Sequence, residues 1–119
     1  MKSYRDLIVW QKAIDLVCVV YKLSSSFPKE EIFALTSQLK RAAISVPSNI
    51  AEGYGRNSKN DYIRFLQIAS GSLYEFQTQI DIANRLNFLN DDAFDEAKSL
   101  SNEIEKMLAS LISKLRNAK

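Results

Sequence analysis

Apolar residues recur at three- and four-residue spacing in four stretches of the chain, and this spacing is typical of amphipathic helices. The four predicted helices span approximately residues 6–24, 28–54, 59–86 and 91–117. Because the connections between them are short, the favoured arrangement is an all-α, antiparallel, up-down-up-down four-helix bundle. The chain has 119 residues with only three glycines and two prolines, so we expect a single domain over residues 1–119.

Each predicted helix carries an apolar stripe that would face the core of the bundle. In the first helix, the predicted stripe comprises Leu7, Trp10, Ile14, Val17 and Tyr21. Further apolar residues lie beside the main stripes of the first and third helices: Leu16, Val19, Val20, Ile63, Ile68 and Ile82. They indicate either wide interfaces within a monomer or a surface that becomes buried in a homo-oligomer.

Proline and glycine mark the ends and interruptions of the predicted helices. Pro28 is expected to open the second helix, because a proline in the first helical turn costs no hydrogen bond. Pro47 lies inside that helix and removes the hydrogen bond to the carbonyl of Ala43, which predicts a kink. Gly53 and Gly55 bracket the expected turn into the third helix.

Polar residues interrupt the apolar stripe of the second helix in the segment QLKRAAISVPSNIAEG, residues 38–53. If the second and third helices fold back on each other, this segment faces GSLYE at residues 71–75, and Arg41 becomes the partner of Glu75. Gly71 is then expected to allow close approach of the neighbouring helix. The predicted polar network comprises Gln38, Arg41, Ser45, Asn49, Glu52, Ser72 and Glu75. Its role is either to fix the register of the helices or to bind a ligand.

These segments resemble a known family. The resemblance is carried by DLIVWQKA at residues 6–13, SQLKRAAISVPSNIAEG at residues 37–53 and GSLYE at residues 71–75. They are similar to the four-helix-bundle proteins encoded in intervening sequences of bacterial 23S ribosomal RNA genes, also called S23 ribosomal proteins, and more distantly to the accessory variability proteins of diversity-generating retroelements. The resemblance implies a homopentameric four-helix bundle, and its retroelement branch implies nucleic-acid binding. It implies no particular biochemical activity.

The chain lacks the residue types of common catalytic sites. It has no histidine and only one cysteine, so histidine triads, Glu-x-x-His di-iron sites and thiolate zinc sites are excluded in their usual forms. GYGR at residues 53–56 is too short for a phosphate loop and is interpreted as a helix cap. We therefore predict a protein that is not an enzyme, with no catalytic residue, metal site or cofactor. Cys18 is expected to be buried and reduced.

No signal peptide or membrane span is visible in the sequence, so we expect a cytoplasmic protein with no membrane partner. The formal net charge is only +2, but the basic residues are unevenly distributed. The candidate nucleic-acid-binding residues are Lys40, Arg56, Lys59 and Arg64. Arg56, Lys59 and Arg64 cluster at the turn before the third helix, whereas residues 91–105 are strongly acidic. The alternative interpretation of the cluster is an ordinary solvated surface.

The sequence therefore favours a non-catalytic, homo-oligomeric helical-bundle scaffold or binding module for structured RNA or for a protein that processes nucleic acid. Two alternatives stay open at this point. The first is a protein-interaction subunit that binds no nucleic acid. The second is a small-molecule-binding bundle that uses the polar network around Arg41 and Glu75. Salt dependence separates the hypotheses, since binding through phosphates weakens steeply as salt rises.

Overall fold

Four long helices form the protein in a computed structural model that describes residues 2–118. They are α1 (Ile8–Leu23), α2 (Leu35–Tyr54), α3 (Lys59–Arg85) and α4 (Asp91–Asn117). Each helix packs against its neighbours in sequence, α1 also packs against α4, and the bundle measures 49 × 23 × 22 Å. The predicted all-α four-helix bundle is confirmed.

One face of each helix contributes to a single apolar core. Its largest fully buried side chains are Leu16, Val20, Leu39, Val46, Ile50, Leu66, Leu73, Phe76, Ile80, Ile104 and Leu108. Burying an aliphatic or aromatic side chain of this size contributes about 1.5–3 kcal/mol. These contacts therefore hold the polar residues of α2 and α3 in a fixed register.

The buried face of α1 differs from the predicted stripe. The buried residues of this helix are Val9, Ala13, Leu16, Val20 and Leu23. Tyr21, which the spacing placed in the core, is 48% exposed. Leu16 and Val20, which the spacing placed beside the stripe, are 0% exposed. Leu7, Trp10 and Val17 of the predicted stripe do pack against the core. The prediction was wrong for the other positions because α1 is apolar around most of its circumference, so more than one stripe has helical period.

Other burial predictions had mixed outcomes. Ile63 is buried, although the spacing placed it off the main face of α3. Cys18 is exposed, so its predicted burial was wrong. Ile68 and Ile82 are 41% and 44% exposed, as their positions off the stripe predicted. Some of the apolar residues beside the main stripes are therefore buried in the core, and others are exposed on the surface.

The ends of α1 and the start of α2 also differ from prediction. Short 3₁₀ turns flank α1 at Tyr4–Asp6 and Ser24–Ser26. The second helix begins at Leu35 and not at Pro28, because Lys29–Glu31 forms a separate 3₁₀ turn. The backbone then leaves the helical region at Ala34, where φ is −122° and ψ is −109°.

The segment before α2 carries an unusual surface residue. Phe27 is buried and packs against Phe88, with ring centroids 5.6 Å apart. Phe33, on the same segment, is 96% exposed, and its neighbour Ile32 is 50% exposed. The loop is thus anchored at its start and presents a free aromatic ring beside the first turn of α2.

One proline and two glycines lie inside α2 and α3, and their surroundings differ. Helix α2 continues through the buried Pro47, and the kink there stays a prediction. At Gly53, an added Cβ would lie 2.7 Å from Cβ of Phe65 and 3.2 Å from Cδ1 of Tyr62, so only glycine fits between α2 and α3. At Gly71 an added Cβ would meet nothing within 4 Å. The predicted close approach at Gly71 was wrong, since this residue faces solvent.

Candidate functional site

Three chain segments meet at one end of the bundle. Lys59 Nζ donates a hydrogen bond of 2.7 Å to the carbonyl of Ala118, so the last turn of α4 lies beside the α2–α3 turn. The antiparallel topology thereby puts two further cations, Lys114 and Arg116, at the same end of the bundle as the predicted cluster. We call this region the basic end and define it by Arg56, Lys59, Arg64, Lys114 and Arg116.

Two arginines of the basic end flank one aromatic ring. The guanidinium carbons of Arg56 and Arg64 lie 4.7 Å and 4.6 Å from the centroid of Phe65. Arg56 also donates to Glu52 at 2.9 Å, and Arg64 Nε lies 3.8 Å from Asp61 Oδ1. All four charged side chains are 44–58% exposed. Exposed ion pairs of this kind contribute only about 0–1 kcal/mol, so a phosphate can replace the carboxylates at little cost.

The tyrosines beside the basic end are used in packing. Tyr54 and Tyr62 pack edge to face, with ring centroids 6.0 Å apart. Burial raises the pKa of the Tyr62 phenol, and the nearby Tyr54 contributes in the same direction. Tyr62 is therefore neutral at physiological pH and packs against the core of the bundle. It does not offer a free face for stacking on a base.

Lys40 does not belong to the basic end. It lies in the first half of α2, about 21 Å along the helix axis from Tyr54 at a rise of 1.5 Å per residue. Its ammonium group lies 4.5 Å from the ring centroid of Tyr21. The predicted nucleic-acid-binding residues thus fall into two separate places on the bundle.

The opposite end of the bundle is acidic. The first turns of α4 present four exposed carboxylates: Asp91, Asp92, Asp95 and Glu96. The two ends are separated along the 49 Å axis of the bundle, so the molecule is electrostatically polar.

Part of the predicted polar network is formed between α2 and α3. The hydroxyl groups of Ser45 and Ser72 share a hydrogen bond of 2.8 Å. The Asn49 amide donates to the carbonyl and the hydroxyl oxygen of Ser45, at 2.8 Å and 2.9 Å. Glu52, which was predicted in the same network, pairs with Arg56 at the basic end. Ser45, Asn49 and Ser72 form a closed set that links the two helices.

The other predicted network residues lie around a groove between α2 and α3. This α2–α3 groove has a volume of about 350 Å³ and is lined by Phe33, Ser37, Gln38, Arg41, Glu75 and Gln79. Arg41 and Glu75 therefore share one groove, as the fold-back predicted. Their predicted ion pair is not among those formed between residues 2 and 118. Both side chains are exposed, where pairing gains little against the loss of side-chain freedom.

Sequence reasoning missed three residues of this groove: Phe33, Ser37 and Gln79. Gln79 is 7% exposed, and its Oε1 atom has no hydrogen-bond partner. Within residues 2–118, the only other buried side-chain polar atom without a partner is Thr36 Oγ1. A signal for Gln79 was present in the sequence, because it lies three residues after Phe76, in the period of the core stripe.

The described residues contain neither a cluster of metal-binding side chains nor a membrane-spanning helix. Between Lys2 and Ala118, no three histidine, cysteine, aspartate or glutamate side chains are grouped as a metal ion would require. In the same stretch of chain, every helix is too short or too polar to cross a membrane.

The helix order shows that the protein is an antiparallel four-helix bundle, and polar contacts join its α2 and α3 helices. Residues 5–110 match the family of 23S rRNA-intervening sequence proteins, and the chain belongs to this family. A protein of unknown function from the S23 ribosomal protein family of Bacteroides thetaiotaomicron VPI-5482 has a similar crystal structure. The two chains align with a TM-score of 0.82 and 24% identity, over 89% of this chain and 96% of the other. No curated protein matches the sequence.

These comparisons confirm the resemblance on which the sequence analysis relied. The family match spans the three motifs, including SQLKRAAISVPSNIAEG. The more distant similarity to retroelement accessory proteins stays a prediction. Neither the matched family nor the similar structure carries an assigned activity in its description.

Proposed function

We propose that the protein is a non-catalytic, homo-oligomeric helical-bundle module that binds structured RNA through its basic end. The observation that carries this proposal is the hydrogen bond from Lys59 to Ala118, because it puts the end of α4, which carries Lys114 and Arg116, at the same end of the bundle as the predicted cations. Five cations at one end of a small bundle supply contacts to several phosphates. The weak pairing of Arg56 and Arg64 leaves their planar groups free to exchange partners.

The proposed oligomer is supported by a second, apolar groove. This α1–α4 groove has a volume of about 470 Å³, and its apolar lining residues include Leu7, Ile8, Met107 and Leu111. Ile8 is 59% exposed in the single chain, so burial against another copy removes apolar surface from water. The family resemblance suggests five copies. A closed ring repeats the basic end and multiplies the local positive potential.

The second candidate function is a protein-interaction subunit without RNA binding. It is favoured by the same α1–α4 groove if a different protein covers it. Capture of such a partner persists at moderate salt, because salt does not screen the burial of apolar surface.

We also propose a cytoplasmic location, which the unpaired Cys18 supports.

We expect the change of Arg56, Lys59 and Arg64 to glutamine to weaken binding of structured RNA by about 10–100-fold near 50 mM salt. The slope of log Kd against log salt should fall by about 2–3, roughly one for each phosphate that the variant no longer neutralises. The measurement is a titration of labelled structured RNA at low and near-physiological salt. Native mass spectrometry of the same sample first establishes the number of copies, and a monomer would contradict the proposed oligomer.

A second triple variant controls for net charge. Lys22, Lys29 and Arg85 are exposed and belong to the opposite half of the bundle, and their change to glutamine removes the same three charges. We expect this control to change RNA affinity by less than about threefold, because charges beyond a Debye length of about 8–10 Å are screened. Equal losses in the two triple variants, or no loss in either, would contradict an interface at the basic end.

A further inference from the structure

The most exposed large apolar side chain in the described part of the chain lies in the connection before α2. Phe33 is 96% exposed, and its neighbour Ile32 is 50% exposed. We call residues 29–33 the Phe33 segment. An aromatic side chain that becomes buried removes about 150–250 Å² from water, so a fully exposed ring forgoes a large stabilisation. Contiguous exposed apolar side chains of this kind mark interaction surfaces.

Backbone hydrogen bonds hold the Phe33 segment in one conformation. The N–H of Ile32 donates to the carbonyl of Lys29 at 3.2 Å, and the N–H of Ala34 donates to the carbonyl of Glu31 at 3.0 Å. The aromatic contact described above anchors the start of the same connection. The segment is therefore ordered before it meets a partner, and binding it costs little conformational entropy.

The α1–α4 groove is an apolar recess elsewhere on the same chain. Its apolar lining residues are Leu7, Ile8, Val9, Met107 and Leu111. An apolar cavity of about 150 Å³ holds a benzene ring. The groove has a volume of about 470 Å³, so it has room for the ring of Phe33 together with the side chain of Ile32.

The charges around the Phe33 segment and the α1–α4 groove are complementary. Lys106 and Lys114 line the groove, and both are exposed. Glu30 is an exposed carboxylate of the segment, and Lys29 beside it matches Asp6, which also lines the groove. Neither Glu30 nor Lys106 takes part in the ion pairs formed between residues 2 and 118. Both charges are therefore available to a second molecule.

The segment and the groove of one molecule lie too far apart to meet. The Phe33 segment precedes α2, at the end of the bundle opposite the basic end. The groove is lined by the first residues of α1 and the second half of α4, towards the basic end. The 16 residues of α1 separate the two features by about 24 Å along the helix axis. Their contact therefore requires a second copy of the chain.

We propose that the Phe33 segment of one copy occupies the α1–α4 groove of a neighbouring copy. The ring of Phe33 packs against Ile8 and Met107 of the neighbour, and Glu30 pairs with the neighbour's Lys106 at the edge of the groove. Because the contact joins two different surfaces, each copy engages one neighbour through its segment and another through its groove. Such contacts close into a ring when the rotation between copies permits. This inference rests on the proposed homo-oligomer and names the contact that builds it.

Phe33→Ala and Ile8→Asp test the two sides of this contact. Each change affects an exposed side chain, so the fold should be kept, which circular dichroism checks. Each should raise the dissociation constant of self-association by about 30-fold or more, the effect of a hot-spot residue. The measurement is sedimentation and native mass spectrometry over a range of concentrations. The matched controls are Tyr74→Ala and Ile82→Asp, exposed residues of α3 outside both features, and they should leave the mass unchanged.

A mixture of the two variants gives the decisive result. A Phe33→Ala copy keeps its groove, and an Ile8→Asp copy keeps its segment. The mixture should therefore form a complex with one copy of each, although neither variant associates with itself. The complex should take up no further copies, because each member has lost the surface that would extend it. Absence of this complex, at concentrations well above those at which the wild type assembles, would overturn the contact.

Glu30→Lys tests the ion pair at the edge of the groove. It should raise the dissociation constant about threefold or more, because two like charges then face each other across the contact. Adding Lys106→Glu to the same chain should recover most of this loss. The matched control adds Arg85→Glu instead, which restores the same net charge away from the groove and should recover nothing. Equal recovery in the two double variants would remove the proposed ion pair.

The outcomes also separate this contact from the proposed RNA role. An oligomer whose mass survives both Phe33→Ala and Ile8→Asp would overturn the contact and leave the homo-oligomer standing. A monomeric wild-type protein would overturn both, and it would leave the groove to a different protein. The variant with glutamine at Arg56, Lys59 and Arg64 should keep the mass of the oligomer. Loss of RNA binding and loss of assembly are therefore measured independently.

Discussion

Leu16→Ala is expected to lower the free energy of unfolding by about 2–5 kcal/mol, the range for large-to-small changes in a packed core. Leu16 is 0% exposed and packs in the central core. The total free energy of unfolding of a native protein is about 5–15 kcal/mol, so this one change removes a large part of the stability. The measurement is urea unfolding at fixed protein concentration, followed by far-ultraviolet circular dichroism.

The control for Leu16→Ala is Tyr21→Ala on the same helix. Tyr21 is 48% exposed, and its ring contacts the ammonium group of Lys40. Its loss should cost less than about 1 kcal/mol, as is usual for surface positions. A larger loss for Tyr21→Ala than for Leu16→Ala would mean that α1 faces the core through the stripe that the spacing predicted.

Gly53→Ala and Gly71→Ala are expected to change stability in opposite directions. At Gly53 the new methyl group would lie 2.7 Å from Phe65 Cβ, an atom that cannot move without its backbone. Overpacking of this kind costs about 1–3 kcal/mol. At Gly71 the methyl group meets open space on a helix, where alanine is favoured over glycine by about 1 kcal/mol.

Thermal unfolding of the two alanine variants tests this contrast. A change of 1 kcal/mol moves the melting temperature of a domain near this size by about 3–8 °C. The melting temperature should fall for Gly53→Ala and rise for Gly71→Ala. Shifts of the same sign would contradict the close packing of α2 on α3 at Gly53.

The number of helices and the first residues of α3 and α4 were predictable because local chemistry determines them. Ser58 accepts from the backbone N–H of Asp61 at 3.1 Å, and Asn90 accepts from that of Ala93 at 2.8 Å. Both caps are visible in the sequence. The start of α2 was not predictable in this way, because Pro28 suits the first turn of a 3₁₀ helix as well as that of an α-helix.

The buried face of α1 depends on tertiary packing and not on period. Apolar residues surround most of this helix, so the spacing placed Tyr21 in the core, whereas packing against the other helices buries Leu16 and Val20. Only the packed bundle distinguishes the two choices.

The candidate sites were predictable to different degrees. Arg56, Lys59 and Arg64 are close in sequence and were found from charge alone. Arg116 requires knowledge that α4 ends beside the α2–α3 turn. The fold-back placed Arg41 and Glu75 around one groove, but it did not determine their rotamers. The spacing of Gln79 from Phe76 indicated its burial, but a sequence does not show that a buried group lacks a hydrogen-bond partner.

The footprint of structured RNA on the intact oligomer tests the interface at the basic end most directly. Hydrogen exchange is measured with and without RNA at a concentration that saturates binding. We expect slower exchange in residues 53–64 and 111–118, and no change in residues 91–100 at the acidic end. Protection confined to the acidic end, or none at either end while RNA is bound, would contradict the proposed function.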